Sequence, residues 1–172
     1  MHKFLKALVL GLTTSAVLLT AAPATAAPAS ATAVAKAMTI TPLNIIKVAD
    51  LDFGTVVAGD TPGTVSIDAA TGAQSTTGGT SPGPGGTQER ATFLTAGSHN
   101  QVFTITLGTP TPMTAAGGGV MMIDALVLDG PATRAHDETR AMIIGVGATL
   151  AVDAYQLEGD YTAEFTMSVE YF

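Results

Sequence analysis

His136, Asp137 and Glu138 form the densest run of side chains in the chain that could ligate a metal or move a proton. Consecutive residues cannot all face one ion in regular structure, and no second histidine stands at metal-ligand spacing. The run therefore reads as a solvated turn. Asp50 and Asp52, two residues apart, share one strand face and could hold calcium, but they read first as solvated carboxylates at a strand start. Asp124 interrupts the apolar run Val120 to Leu128. A buried carboxylate needs a partner, and Arg134 or Arg140 could supply one. His99 lies in Gly97-Ser98-His99-Asn100, which reads as a hairpin turn. Gly78-Gly79 and Gly83-Pro84-Gly85-Gly86 lack the lysine and hydroxyl of a phosphate loop, and no helical pattern follows them. No serine or threonine sits in a nucleophile-elbow pattern. The chain has no cysteine, which removes disulfides, thiol chemistry and thiolate metal sites. These residues assign no catalytic, cofactor or metal site, and the expectation is a protein that is not an enzyme.

The elements that must position these groups read as strands. Short apolar runs are separated by Gly, Pro, Asp and Thr clusters, the spacing of an all-β sandwich or barrel. The runs are Met38 to Val48, Leu51 to Val57, Thr64 to Ile67, Ala91 to Ala96, Gln101 to Leu107 and Val120 to Leu128, then Ala141 to Val146 and Ala148 to Val152 around Gly145 and Gly147. In Gln101 to Leu107, Phe103, Ile105 and Leu107 share one face. The last strand alternates most strictly. One face reads Tyr161, Ala163, Phe165, Met167, Val169, Tyr171, and the other reads Thr162, Glu164, Thr166, Ser168, Glu170. Period-two alternation indicates one buried and one wet face. Thr71 to Thr87 and Thr109 to Gly119 are rich in glycine, lack apolar anchors and read as long mobile loops.

The start of the chain reads as an export signal over residues 1–26. Lys3 and Lys6 precede the apolar run ALVLGLTTSAVLLT, and Ala24-Thr25-Ala26 supplies the small-residue cleavage pattern before Ala27. The apolar run is shorter than the roughly 20 residues of a membrane span. No later segment qualifies as one, so no membrane insertion is expected after cleavage. Removing the signal takes Lys3 and Lys6 with it and moves the formal charge from −7 to −9. An acidic surface repels nucleic acid and anionic lipid. With tryptophan absent and aromatics at 5%, aliphatic residues must supply most of the burial.

The segment from Ala27 to Ala37 is alanine-rich and reads as a flexible extension. Residues 27–40 could reach about 45 Å when extended, enough to cross one domain. Such an extension can add a strand to a neighbour's open sheet edge, pairing backbone groups and inserting alternate side chains. One parity holds Ala33, Ala35, Ala37 and Thr39. The other holds Val34, Lys36, Met38 and Ile40, where Lys36 would have to snorkel out.

Two resemblances accompany these readings. Gly159, fourteenth from the end, and Tyr171, second from the end, resemble the C-terminal signature of chaperone–usher pilins. The resemblance implies that Gly159, Tyr161, Phe165, Met167, Val169 and Tyr171 line a groove strand bound by a periplasmic chaperone. It further implies that Val34, Met38 and Ile40 act as a donor strand to related or identical subunits passed through an outer-membrane usher. The chain departs from many pilins in lacking a disulfide. Leu51-Asp52-Phe53-Gly54-Thr55-Val56-Val57, Gly63-Thr64-Val65, Ala91-Thr92-Phe93, Val146-Gly147-Ala148-Thr149-Leu150 and Gly159-Asp160-Tyr161 resemble the bacterial domain-of-unknown-function 4402 family over about residues 38–172. That family is similar to spore-coat-U-like and fimbrial proteins in its export and β architecture.

The expected fold is an Ig-like, pilin-like β-sandwich of seven to nine strands over residues 41–172, with no significant helix outside the signal. The expected function is a structural subunit of a fimbria or related adhesive cell-surface assembly, exported through the periplasm and polymerised by strand donation. The rival expectation is a monomeric secreted β-sandwich that binds glycan or calcium through its glycine-rich loops.

Overall fold

The computed structural model describes residues 28–172. The expected signal, residues 1–26, and Ala27 at the head of the extension lie outside the described residues. Contacts divide the chain after Ala37 into two units. In the first, residues 28–37 form no strand or helix, and every one of them is exposed. The second, Met38–Phe172, is all β.

Among the described residues eleven strands follow in chain order. They are β1 (Asn44–Ala49), β2 (Val56–Ile67), β3 (Gln74–Pro82), β4 (Ala91–Ala96), β5 (Val102–Leu107), β6 (Met113–Ala115), β7 (Val120–Leu128), β8 (Thr133–Ala135), β9 (Ala141–Val152), β10 (Tyr161–Thr162) and β11 (Met167–Tyr171). They form two antiparallel sheets. The larger has eight strands and runs β1-β4-β9-β7-β6-β10, with β2 also on β9 and β3 on β2. The smaller has three, in the order β11-β5-β8.

Strand β9 organises the large sheet. Its first half, Ala141–Val146, pairs β4, and Ala148–Val152 pairs β2 on the same side. Strand β7 covers the opposite side, from Met122 against Ala151 to Leu128 against Val146. This central place explains why the sequence from Ala141 to Val152 is apolar or glycine at nearly every position. Gly145 and Gly147 are required by close approach. A side chain at either would strike the backbone of the turn around Ala69, which crosses over β9 there.

The core is built from alternate residues of both sheets. Val65, Ile144, Val146 and Phe103 are fully enclosed, with Ile67, Ala148, Leu150, Val152 and Ile105 close to it. One cluster gathers Phe53, Val65, Ile67 and Leu150. A second gathers Ala91, Phe93 and Val146, and a third Phe103, Ile105 and Ile144, which joins the two sheets. Enclosing one such aromatic or branched side chain stabilises the fold by about 1.5–3 kcal/mol.

Several expectations are corrected. Eleven strands exceed the expected seven to nine: β3 and β6, in stretches expected as loops, and β8 are not among those expected. The single last strand expected from Tyr161 is split, with no strand from Ala163 to Thr166, so that β10 joins the large sheet and β11 the small one. The runs around Gly147 fuse into β9, and of the expected strand Leu51 to Val57 only Val56 and Val57 lie in a strand, as the start of β2. Residues Gln74–Pro82 pair along β2, aided by a hydroxyl bond of 2.7 Å between Thr64 and Thr77. Met113–Ala115 pairs β7 and β10. Gly97 to Asn100 does not close a hairpin: it carries the chain from β4 in one sheet to β5 in the other. Residues Met38 to Leu43, expected to begin a strand, form none. Asp124 is exposed, set in the register shift between Ile123 and Ala125. The bulge turns the carboxylate outward, so it needs no internal partner. Arg134 instead binds Asp129, Nη2 to Oδ1 at 2.7 Å, and Asp129 Oδ2 accepts from Gly145 N at 2.7 Å.

Candidate functional site: a seam between two free sheet edges

Among the described residues, strand β1 ends one side of the large sheet and pairs only β4, while β11 ends the small sheet and pairs only β5. Among the described residues no backbone hydrogen bond joins β1 to β11. Yet their inward side chains reach the same core. Leu43 before β1 packs on the cluster of Phe103, Ile105 and Ile144, as do Met167, Val169 and Tyr171 from β11. Ile45 packs beside Phe165 and Met167 on the cluster of Phe93 and Val146. The rings of Phe93 and Phe165 meet edge to face at 6.2 Å between centroids.

These edge residues are only half-buried. Leu43, Ile45, Phe165, Met167, Val169 and Tyr171 all keep intermediate exposure, whereas Phe103 on the neighbouring β5 keeps none. From Tyr161 to Phe172 the burial alternates without a break, odd residues half-buried and even residues exposed. The alternation expected from sequence is present, but its inner face stops at half coverage. An inward side chain becomes fully enclosed when strands flank it on both sides, and here one flank is open. The result is an apolar seam bordered by two rows of backbone groups without strand partners.

One end of the seam is closed by three hydrogen bonds. Tyr171 Oη donates to Thr41 O at 2.7 Å and accepts from Ser98 N at 2.7 Å. Thr41 N donates to Ser98 Oγ at 2.6 Å. Gly97 makes the clamp sterically feasible. A Cβ there would lie 2.6 Å from Tyr171 Oη, 2.9 Å from Leu43 Cδ2 and 3.1 Å from His136 Cε1.

His136 lies beneath this clamp and is 1% exposed, which corrects the expected solvated turn. Its ring stacks on Phe103 at 4.5 Å between centroids, and Nε2 lies 3.2 Å from Thr95 Oγ1. Nδ1 is buried and has no hydrogen-bond partner among the described residues. Burial disfavours the charged imidazolium and lowers the His136 pKa from its ordinary 6.5, against a smaller opposing pull from Asp137. Asp137 and Glu138 do remain exposed. The Thr139 hydroxyl and amide donate to Asp137 Oδ1 and hold its carboxyl below the usual range.

The other sequence-predicted residues sit apart. Gly159 and Tyr161 lie at the β10 end, where Tyr161 Oη donates to Leu157 O at 2.7 Å and accepts from Gln156 Nε2 at 2.8 Å. Val34, Met38 and Ile40 are 81%, 76% and 45% exposed. Asp50 pairs with Lys47, and Asp52 Oδ1 accepts from Gly54 N at 2.7 Å. Among the described residues no three His, Asp or Glu side chains converge as metal ligands. Leu43 and Ile45 stand in the sequence only as members of the apolar run Met38 to Val48, and Gly97 and Ser98 only as an expected turn; their roles at the seam, like that of Thr41, depend on strands distant in sequence.

No curated protein and no solved structure matches the chain at significance. A family model described as a domain of unknown function does match, over residues 43–171, which takes in both borders of the seam and every strand. By that match the chain belongs to the domain-of-unknown-function 4402 family.

Proposed function

We propose that the mature chain is a structural subunit of a bacterial fimbria or related cell-surface assembly, polymerised by strand donation between copies. The observation that carries this reading is the half-buried row on each side of the seam, Leu43 and Ile45 facing Phe165, Met167, Val169 and Tyr171. A strand laid between β1 and β11 would pair two rows of free backbone groups and cover this apolar row at once. Unpaired edges invite such addition. The occupant is the extension of a second copy, residues 27–40, with Val34, Met38 and Ile40 as the inserted side chains. Those side chains are exposed and share one parity of an entering strand, with Lys36 between Val34 and Met38 extending out of the seam. Before assembly the same seam is the surface for a periplasmic chaperone, and an outer-membrane usher would carry subunits to the surface.

Deletion of residues 27–37 tests the reading by sedimentation of the mature protein. The full mature chain should form concentration-dependent assemblies that the deletion abolishes. Identical assemblies from both proteins would end the strand-donation reading.

A further inference from the structure

We infer that the Thr41–Ser98–Tyr171 clamp steers the extension away from its own seam and so makes the donor strand serve a second copy. The inference rests on the strand-donation reading and adds to it the choice of partner. Self-filling is the competing outcome in any chain that carries both a donor and a groove. Here it would be short-ranged: β1 begins at Asn44, only a few residues after Met38 and Ile40. Folding back along β1 would make residues 41–43 the turn of a hairpin, since connections of two to five residues suffice.

The clamp removes that option. Both backbone groups of Thr41 are engaged, N–H by Ser98 Oγ and C=O by Tyr171 Oη. The single N–H is thereby spent, and the bond to Tyr171 fixes the direction of the carbonyl. Pro42 next in line has no N–H and a fixed φ. Ser98 and Tyr171 are themselves joined, amide to hydroxyl, so the anchor spans the β4–β5 connection and β11. Beyond the clamp, Met38 to Thr41 share one open concavity with Ser98, His99 and Gln101. The chain therefore passes over the β4–β5 connection, not along β1.

The test uses the full mature chain, Ser98→Ala and Tyr171→Phe singly and together, and a Met38→Asp/Ile40→Asp control. Concentration-dependent sedimentation and the concentration dependence of the thermal midpoint are read on each. Wild type should assemble, with a midpoint that rises with concentration. Releasing the clamp should raise the concentration for half-assembly at least tenfold and yield a monomer whose midpoint no longer depends on concentration. Ser98→Ala alone, which leaves every seam side chain in place, should move the same way should Tyr171→Phe fold poorly. Unchanged half-assembly in the clamp variants, with assembly lost in the aspartate control, would overturn the clamp and leave strand donation standing. No assembly by wild type, or assembly untouched by the aspartates, would overturn both.

Discussion

Tyr171 Oη lies 2.7 Å from Thr41 O and bridges the free edge of β11 to the segment that leads into β1. It is a direct tie between the two borders of the seam at that end. Removing the ring should be costly. Tyr171→Ala loses the hydrogen bonds to Thr41 and Ser98 together with packing against the cluster of Phe103 and Ile144. Unfolding in urea should show a loss of about 3 kcal/mol or more. A loss below about 1 kcal/mol would mean that the tie contributes little.

Gly97→Ala tests the same place by adding an atom. The new methyl would press on Tyr171 Oη, Leu43 and His136 at once. Overpacking of this kind costs about 1–3 kcal/mol. Amide exchange at Thr41 and Ser98 should accelerate more than exchange in β9. Uniform acceleration across all strands would place the damage elsewhere.

Asp129 supports the centre of the large sheet from the loop after β7. One oxygen holds Arg134 and the other the Gly145 amide, with 16% of the aspartate side chain and 13% of the arginine side chain exposed. Asp129→Ala strands a largely enclosed guanidinium and a backbone N–H. Its stability loss should be about 3–5 kcal/mol. Asp129→Ala/Arg134→Met should recover part of that loss, because the orphaned charge leaves with its partner. No recovery would show that the Gly145 bond carries the effect.

His136 should make the fold acid-sensitive above the carboxylate range. Its native pKa is lowered below 6.5, so below that pH the unfolded chain binds more protons than the native one. Stability is fully present above the unfolded pKa and falls as pH drops below 6.5. The slope is at most about 1.4 kcal/mol per pH unit for one proton. Asp137 also titrates low in the native state, and its contribution is lost only nearer its unfolded 3.8. Urea midpoints between pH 7.5 and 5 should decline for wild type and flatten for His136→Phe. Equal declines in both proteins would remove His136 as the cause.

Much of the β scaffold was legible in the sequence, because apolar runs and period-two alternation follow directly from burial on one or two faces. Ala91–Ala96 and Val120–Leu128 match the expected bounds. The burial alternation from Tyr161 onward is present, but the one strand expected there is broken over Ala163 to Thr166, where the chain passes from the large sheet to the small one. Strand β3 was not legible. It is made of Ser, Thr and Gly and is held by backbone pairing to β2 and by hydroxyl contacts, neither of which leaves an apolar pattern. Its glycines, which suggested a loop, are needed for contact: side chains at Gly78 or Gly79 would strike Pro62 or Thr61. Only the β11 side of the seam could be read in advance. The β1 side and the clamp arise from pairing across the two sheets. The burial of His136 likewise depends on Phe103 and Thr95 reaching it from β5 and β4.

The absence of cysteine in the chain permits one direct experiment on the seam. Val169→Cys on β11 is combined in turn with Val34→Cys, Met38→Cys or Ile40→Cys on the extension, and the mature proteins are oxidised under native conditions. A disulfide forms only when the two Cα atoms come within about 7 Å. The expected result is a covalent ladder of multimers on a denaturing gel for at least one pairing, reversed by reductant and absent from each single-cysteine protein beyond dimer. Monomers alone, whether unlinked or closed within one chain, would contradict a second copy's extension lying between β1 and β11.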